Sequence, residues 1–134
     1  MLEKECIQSL GFRNVIKDGE VKGFQIKVRS IYYRGLWLSQ IRPATIKVDD
    51  ITYKGDQITW VINDKEYTQE EMKSIGDVHW DITEPATLSV KKQGGLKSGF
   101  HDVEFEYGFS SSYMPPNMDG ILAGGVHKRR LILV

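Results

Sequence analysis

Polar and apolar residues alternate along most of this chain, the mark of strands with one buried face. In "GFQIKVRSIYY", Phe24, Ile26, Val28 and Tyr32 share one face, and Gln25, Lys27 and Arg29 share the other. "ATIKVDD" sets Ala44, Ile46 and Val48 against Thr45 and Lys47, "QITWVIN" groups Ile58, Trp60 and Ile62, and "PATLSVKK" groups Ala86, Leu88 and Val90. The clearest case is "HDVEFEYGF", with Val103, Phe105, Tyr107 and Phe109 against Asp102, Glu104 and Glu106. "VHKRRLILV" predicts a last strand, basic at its start and apolar at its end.

Turn chemistry separates these runs. Asp18-Gly19, Asp49-Asp50, Lys54-Gly55-Asp56, Asn63-Asp64 and Gly94-Gly95 each fall where a hairpin or bend is expected. One segment calls for a helix: Thr68 followed by Glu71 has capping-box spacing, and "QEEMKSI" supplies helix formers for two turns at most. Many short strands with so little helix predict an all-β, single-domain antiparallel β-sandwich spanning residues 1–134, without internal repeat or linker.

Two stretches break the alternation. In "SIYYRGLWLSQI", residues 30–41, the strand begun near Val21 is expected to run on through Tyr33 and to break or bulge at Gly35. Leu36, Trp37 and Leu38 then stand in a row, and alternation cannot bury all three on one face. Trp, Tyr and Arg dominate interface hot spots, so Tyr33, Arg34 and Trp37 are candidates for contact with a partner. The second stretch, "GFSSSYMPPNMDGILAGGVHK" at 108–128, is a long connection that is apolar for a solvated loop. Either it covers one end of its own sandwich, or Tyr113, Met114, Met118 and Ile121 form an adaptable contact surface.

Composition narrows the function classes. The 134 residues suffice for one core, and 18 basic against 18 acidic residues give zero formal net charge. No broad electrostatic pull toward nucleic acid or anionic membrane is expected. A single cysteine, Cys6, forbids an internal disulfide, and "MLEKECIQSLGFRNV" carries charges where a secretory signal has its apolar region, which points to the cytoplasm. No apolar run approaches the roughly 20 residues of a membrane-spanning helix.

Chemistry-bearing residues are sparse. On a strand, Asp77, His79 and Asp81 of "DVHWD" would line one face, either as a metal or proton-transfer site or as the solvated side of an edge strand. His101-Asp102 cannot pair internally, because adjacent strand residues point to opposite faces. "HKRR" at 127–130 is either a solvated strand end or an anion contact, and Cys6 reads as a structural thiol rather than a nucleophile. No phosphate-cradling glycine loop, zinc spacing or nucleophile elbow is present, and no complete active site is visible.

The ordered set "LGFRNV" at 10–15, "GFQIKVRSIYYRGLWLSQI" at 23–41, "VDD" at 48–50, "EPATLSVKKQGGLKSGFHDVE" at 84–104, "SYMPP" at 112–116 and "RRLILV" at 129–134 resembles the small (β) subunit of bacterial C-glycoside deglycosidases. The resemblance implies a β-sandwich subunit paired with a larger α subunit, a TIM barrel of the sugar-isomerase type holding a divalent metal, typically manganese. It implies a substrate of the aryl or flavonoid C-glycoside class, oxidised to a ketone at sugar C3, and cleavage by β-elimination on the large subunit. The metal ligands and the catalytic base would belong to the large subunit, so no cofactor and no catalytic residue are then expected on this chain. Tyr33, Arg34, Trp37, Tyr113, Met114, Met118 and Ile121 would face the partner or its substrate. The competing reading from the residues is a stand-alone carbohydrate- or aglycone-binding module, with Trp37 and Tyr33 stacking on rings.

Overall fold

The structure, a computed structural model, describes residues 2–109 and 125–134. In chain order its strands are β1 (Arg13–Lys17), β2 (Glu20–Val28), β3 (Leu36–Trp37), β4 (Thr45–Val48), β5 (Ile51–Lys54), β6 (Ile58–Ile62), β7 (Lys65–Thr68), β8 (His79–Trp80), β9 (Ala86–Lys91), β10 (Gly99–Tyr107) and β11 (Gly125–Leu133). Between β7 and β8 lies a one-turn helix, α1 (Gln69–Met72). A five-stranded sheet runs β1-β2-β9-β6-β7, a four-stranded sheet runs β11-β10-β4-β5, and β3 pairs with β8 alone. The pairings are antiparallel.

The alternating faces meet as predicted. Phe24, Ile26, Val28, Ile58, Trp60, Ile62, Leu88 and Val90 of the first sheet are buried against Ile46, Val48, Val103, Phe105, Tyr107, Leu131 and Leu133 of the second. Ring contacts cross between the sheets: Trp60 to Phe105 at 6.1 Å and Phe24 to Tyr53 at 5.3 Å. This is the β-sandwich expected, held by one hydrophobic core. Hairpin chemistry also holds. Asp18, Asp49, Asp50, Asn63 and Asp64 take left-handed φ angles, the conformation that two-residue hairpin turns require and that Asp and Asn tolerate. At Gly23 a Cβ would lie 1.8 Å from the Val90 carbonyl oxygen, so only glycine lets β2 approach β9 this closely.

The helix keeps its capping box: Thr68 Oγ1 accepts from the Glu71 N–H at 3.1 Å, and Glu71 Oε1 accepts from the Thr68 N–H at 2.9 Å. Its first residue, Gln69, is buried and fully engaged. Gln69 Oε1 accepts from the Ala44 N–H and Trp60 Nε1–H, while Nε2 donates to the Ala44 and Gly55 carbonyls. One amide thus locks the approach to β4 against β6 without leaving a buried polar group unsatisfied.

Two expectations need correction. Strand β2 ends at Val28 rather than running through Tyr33. The N-terminal segment supplies the last pairings of this strand, with Gln8 N–H donating to Lys27 O and Arg29 N–H to Cys6 O. Ser30 then turns the chain: its Oγ accepts from the Tyr32 N–H at 3.3 Å, and Gly35, at φ 69°, donates to the Tyr32 carbonyl. A short polar side chain bonding its own backbone outcompetes the strand that alternation suggests. The other correction concerns "DVHWD": the strand there is only His79–Trp80, with Asp77 in a bend and Asp81 beyond its end.

Among the described residues no helix is long and apolar enough to cross a membrane.

Candidate partner interface

The strand pair β3–β8 sets a small aromatic corner on the sandwich. Leu36 stands opposite Trp80 and both are fully buried, while Trp37 stands opposite His79 on the outward side. After Trp37 the chain folds into a tight turn, Leu38–Gln40, that carries Leu38 back into the core. The Trp37 N–H is received by Gln40 Oε1 at 2.9 Å, and the Leu38 N–H by the Val78 carbonyl at 3.0 Å. The apolar trio is therefore resolved by a change of direction: two leucines go in, and Trp37 stays 44% exposed.

Trp37 is held rather than loose. Its ring meets the His79 imidazole edge-on at 4.8 Å, and His79 Nδ1 is bonded in turn to the Asp81 carboxylate. Gly35 makes room for this stack, since a Cβ there would sit 2.5 Å from His79 Cε1 and 2.7 Å from the Trp80 carbonyl. Next to it, Tyr33 is 66% exposed and Ile31 is exposed as well. Arg34 Nε donates to Tyr33 Oη at 2.9 Å, and the guanidinium carbon lies 5.4 Å from the ring centre. Half-buried Tyr32 joins this group to the body of the protein, its ring 5.4 Å from Tyr33 and 5.1 Å from Phe109. The result is a pre-ordered patch of Ile31, Tyr33, Arg34 and Trp37, with few free rotors left to freeze on binding.

The model of the family "C-glycoside deglycosidase beta subunit" matches residues 2–113. A C-glycoside deglycosidase beta subunit from Eubacterium cellulosolvens is 47% identical, covering 99% of this chain and 100% of the relative. The chain belongs to the C-glycoside deglycosidase beta subunit family.

In this family member, the three interface candidates Tyr33, Arg34 and Trp37 are brought together at the surface, and the structure adds Ile31 and His79 to them. Ile31 escapes sequence reading because alternation places it on a strand that does not form, and His79 because the sequence offers it as a ligand or a solvated strand face, not as a prop for Trp37. The candidates Tyr113, Met114, Met118 and Ile121 lie outside the described residues. Among the described residues no group of three or more His, Cys, Asp or Glu side chains is placed to hold a metal. The weak candidates Asp77, His79 and Asp81 do not converge, since only His79 and Asp81 pair.

The basic cluster of the last strand is answered from within the chain. On the outer face of β10–β11, Lys128 lies 3.1 Å from Glu104, and Lys47 reaches the same carboxylate at 3.7 Å. Arg130 lies 3.3 Å from Asp102. The Lys128 hydrogen bond, more than Lys47, draws the Glu104 carboxyl below its usual pKa. Arg129 points the other way, donating to the Ile7 carbonyl and to Glu3 Oε2, both at 2.9 Å, so that it fastens the N-terminal segment. A shallow hollow of about 380 Å³ between Lys47, Asp50, Asp102, Glu104 and Arg130 is thus lined by paired charges rather than by a free anion cradle.

Cys6 is buried, its thiol donates to the Arg29 carbonyl at 3.3 Å, and burial pushes its pKa up to about 12. It is a packed thiol, far from the thiolate a nucleophile needs.

Proposed function

We propose that this chain is the β subunit of a heteromeric C-glycoside deglycosidase of the carbon–carbon lyase type. It acts as a non-catalytic, site-shaping subunit beside a larger TIM-barrel, sugar-isomerase-like α subunit. In this proposal the α subunit holds a divalent metal, manganese, and the catalytic base. No step is routed through side chains of this chain. The substrate is an aryl or flavonoid C-glycoside with a ketone at sugar C3, and the enzyme works in the cytoplasm.

The chemistry follows from the ketone. It acidifies the C2–H bond, whose proton passes to the base while the electron pair moves into an enolate. The enolate collapses to a C1=C2 double bond as the C1–aglycone carbon bond breaks. The aglycone carbon leaves with that electron pair and takes up a proton, so the products are the free aglycone and an unsaturated keto-sugar.

The observation that carries the reading is the near-complete match to a beta subunit, with the aromatic corner of Ile31, Tyr33, Arg34 and Trp37 as the surface that suits a partner. The apolar 108–125 connection is proposed, on its sequence, to add contacts near the aglycone. Replacing Met114, Met118 and Ile121 with serine then weakens assembly or raises KM, and a triple variant unchanged in both ends that part of the reading.

The deciding experiment assays a 3-keto C-glycoside with this chain alone, the barrel partner alone, and both together. Activity only from the mixture supports the proposal. Full activity from the partner alone reduces this chain to scaffolding, and ligand binding by the chain alone favours a stand-alone binding module.

A further inference from the structure

We infer that His101 is an imidazolium clamp that ties three separate segments together at one end of the sandwich and loosens as pH rises. His101 lies on the inner face of β10, only 9% exposed. Both ring nitrogens meet oxygen acceptors: Nδ1 is 2.5 Å from Asp49 Oδ2, in the β4–β5 turn, and Nε2 is 2.6 Å from the Lys97 carbonyl, in the connection before β10. A carbonyl can only accept. Asp49 is a carboxylate at neutral pH: its other oxygen accepts from the Asp102 N–H at 2.9 Å, and that bond, ahead of His101, holds its pKa below the ordinary value.

A neutral imidazole carries one N–H, so one nitrogen lone pair would face an oxygen lone pair at hydrogen-bond distance. With Asp49 ionised, only the doubly protonated ring satisfies both contacts. The neighbours are consistent with this state. Phe12 offers a ring at 5.8 Å, edge to face, and no charge. Asp49 is the charged group acting on His101. Arg130 of β11 and buried Tyr53 of β5 are coupled to Asp49, and the Asp102 side chain points to the opposite face, toward Arg130. Burial works against the charge on His101, but the Lys97 carbonyl and the Asp49 carboxylate outweigh it, and the ring's pKa is raised. For Asp49, the Asp102 N–H first and His101 second lower the pKa.

Asp49 begins a hairpin turn at φ 48°, so losing its partner frees a turn that has left-handed backbone to maintain. The clamp is a property of the chain itself and stands or falls separately from the proposed enzyme.

The test is two-bond 1H–15N correlation on ring-labelled full-length chain between pH 5 and 9, with His101→Gln used to assign the signal. At pH 7 both His101 nitrogens are expected to show the protonated signature, and Asp49→Asn is expected to lose that signature and to titrate at lower pH than the wild type. A neutral His101 tautomer at pH 7, or an unchanged titration in Asp49→Asn, overturns the inference. Should His101→Gln fail to fold, the wild-type and Asp49→Asn titrations still decide.

Discussion

The outer face of β10–β11 and the β3–β8 corner are both exposed, but they are finished differently. On the outer face, neighbours across the two strands match: Phe100 with Ile132, Asp102 with Arg130, Glu104 with Lys128. Arg130 also lies over the Phe100 ring at 5.7 Å. The members of these three pairs complement one another within the same chain, and the charges on a long edge strand discourage pairing with another copy. At the corner, the contacts of Tyr33 and Trp37 hold the rings in place, yet leave much of each in water. The lesson is that exposure alone does not mark an interface. What marks it is rigid aromatic area whose own neighbours orient it without covering it.

The largest effect is expected beneath the corner. Trp80 is fully buried, packs edge-on against Trp60 at 5.5 Å, and donates from Nε1 to the Glu84 carbonyl at 2.7 Å. Trp80→Ala should lower the chain's stability by about 3–5 kcal/mol in urea unfolding; a loss below about 1 kcal/mol would mean the corner is not anchored in the core. Next comes the surface itself. Arg34→Ala combined with Trp37→Ala should weaken binding to the partner subunit by about 2 kcal/mol or more, roughly thirtyfold in Kd, by titration calorimetry. The chain's own unfolding free energy should move by less. If stability falls more than affinity, the patch is ordinary packing and the contrast between the two surfaces dissolves.

A third outcome concerns pH. His101 has its pKa raised from 6.5, so the stability it contributes is complete below 6.5 and is lost as pH climbs through the raised value. Asp49 has its pKa lowered from 3.8, so its share is complete above 3.8 and is lost as pH falls through the lowered value. The wild-type melting temperature, relative to Asp49→Asn, should therefore be highest between these limits. A difference that is flat from pH 5 to 9 would mean that the clamp does not hold the β4–β5 turn against the inner face of β10. The smallest effect belongs to the exposed ladder, where Asp102→Asn should cost less than about 1 kcal/mol and less still in high salt. A larger, salt-insensitive loss would show that the outer face depends on its ion pairs for stability.

Much of this molecule is written in its local pattern. Alternation at 44–48, 58–62, 86–90 and 103–109 assigned the inward residues correctly, because a strand with one wet face must repeat every second position. The Asp and Asn pairs located hairpins, since few other residues tolerate left-handed backbone, and Thr68 with Glu71 located the one helical turn. The candidate site was legible in part. Tyr33, Arg34 and Trp37 could be named from residue type and broken alternation, but Ile31 and the supporting His79 could not.

What tertiary structure decided was everything that depended on a distant partner. Residues 30–33 have the pattern of a strand, but the N-terminal segment occupies the pairing positions where β2 ends, and Ser30 then bonds its own backbone. His101 sits beside Asp102 in sequence yet pairs with Asp49, because strand geometry sends neighbours to opposite faces and brings a turn from β4–β5 to meet it. The basic run at 127–130 reads in sequence as a solvated strand end or an anion contact, and register with β10 decides its partners: a carboxylate beside Lys128, another beside Arg130, and Arg129 turned inward to Glu3. Which faces are buried is legible in each segment alone, since burial follows a period that the segment carries. Which charges are spent inside the chain and which rings remain exposed was decided only by the packing of the sheets.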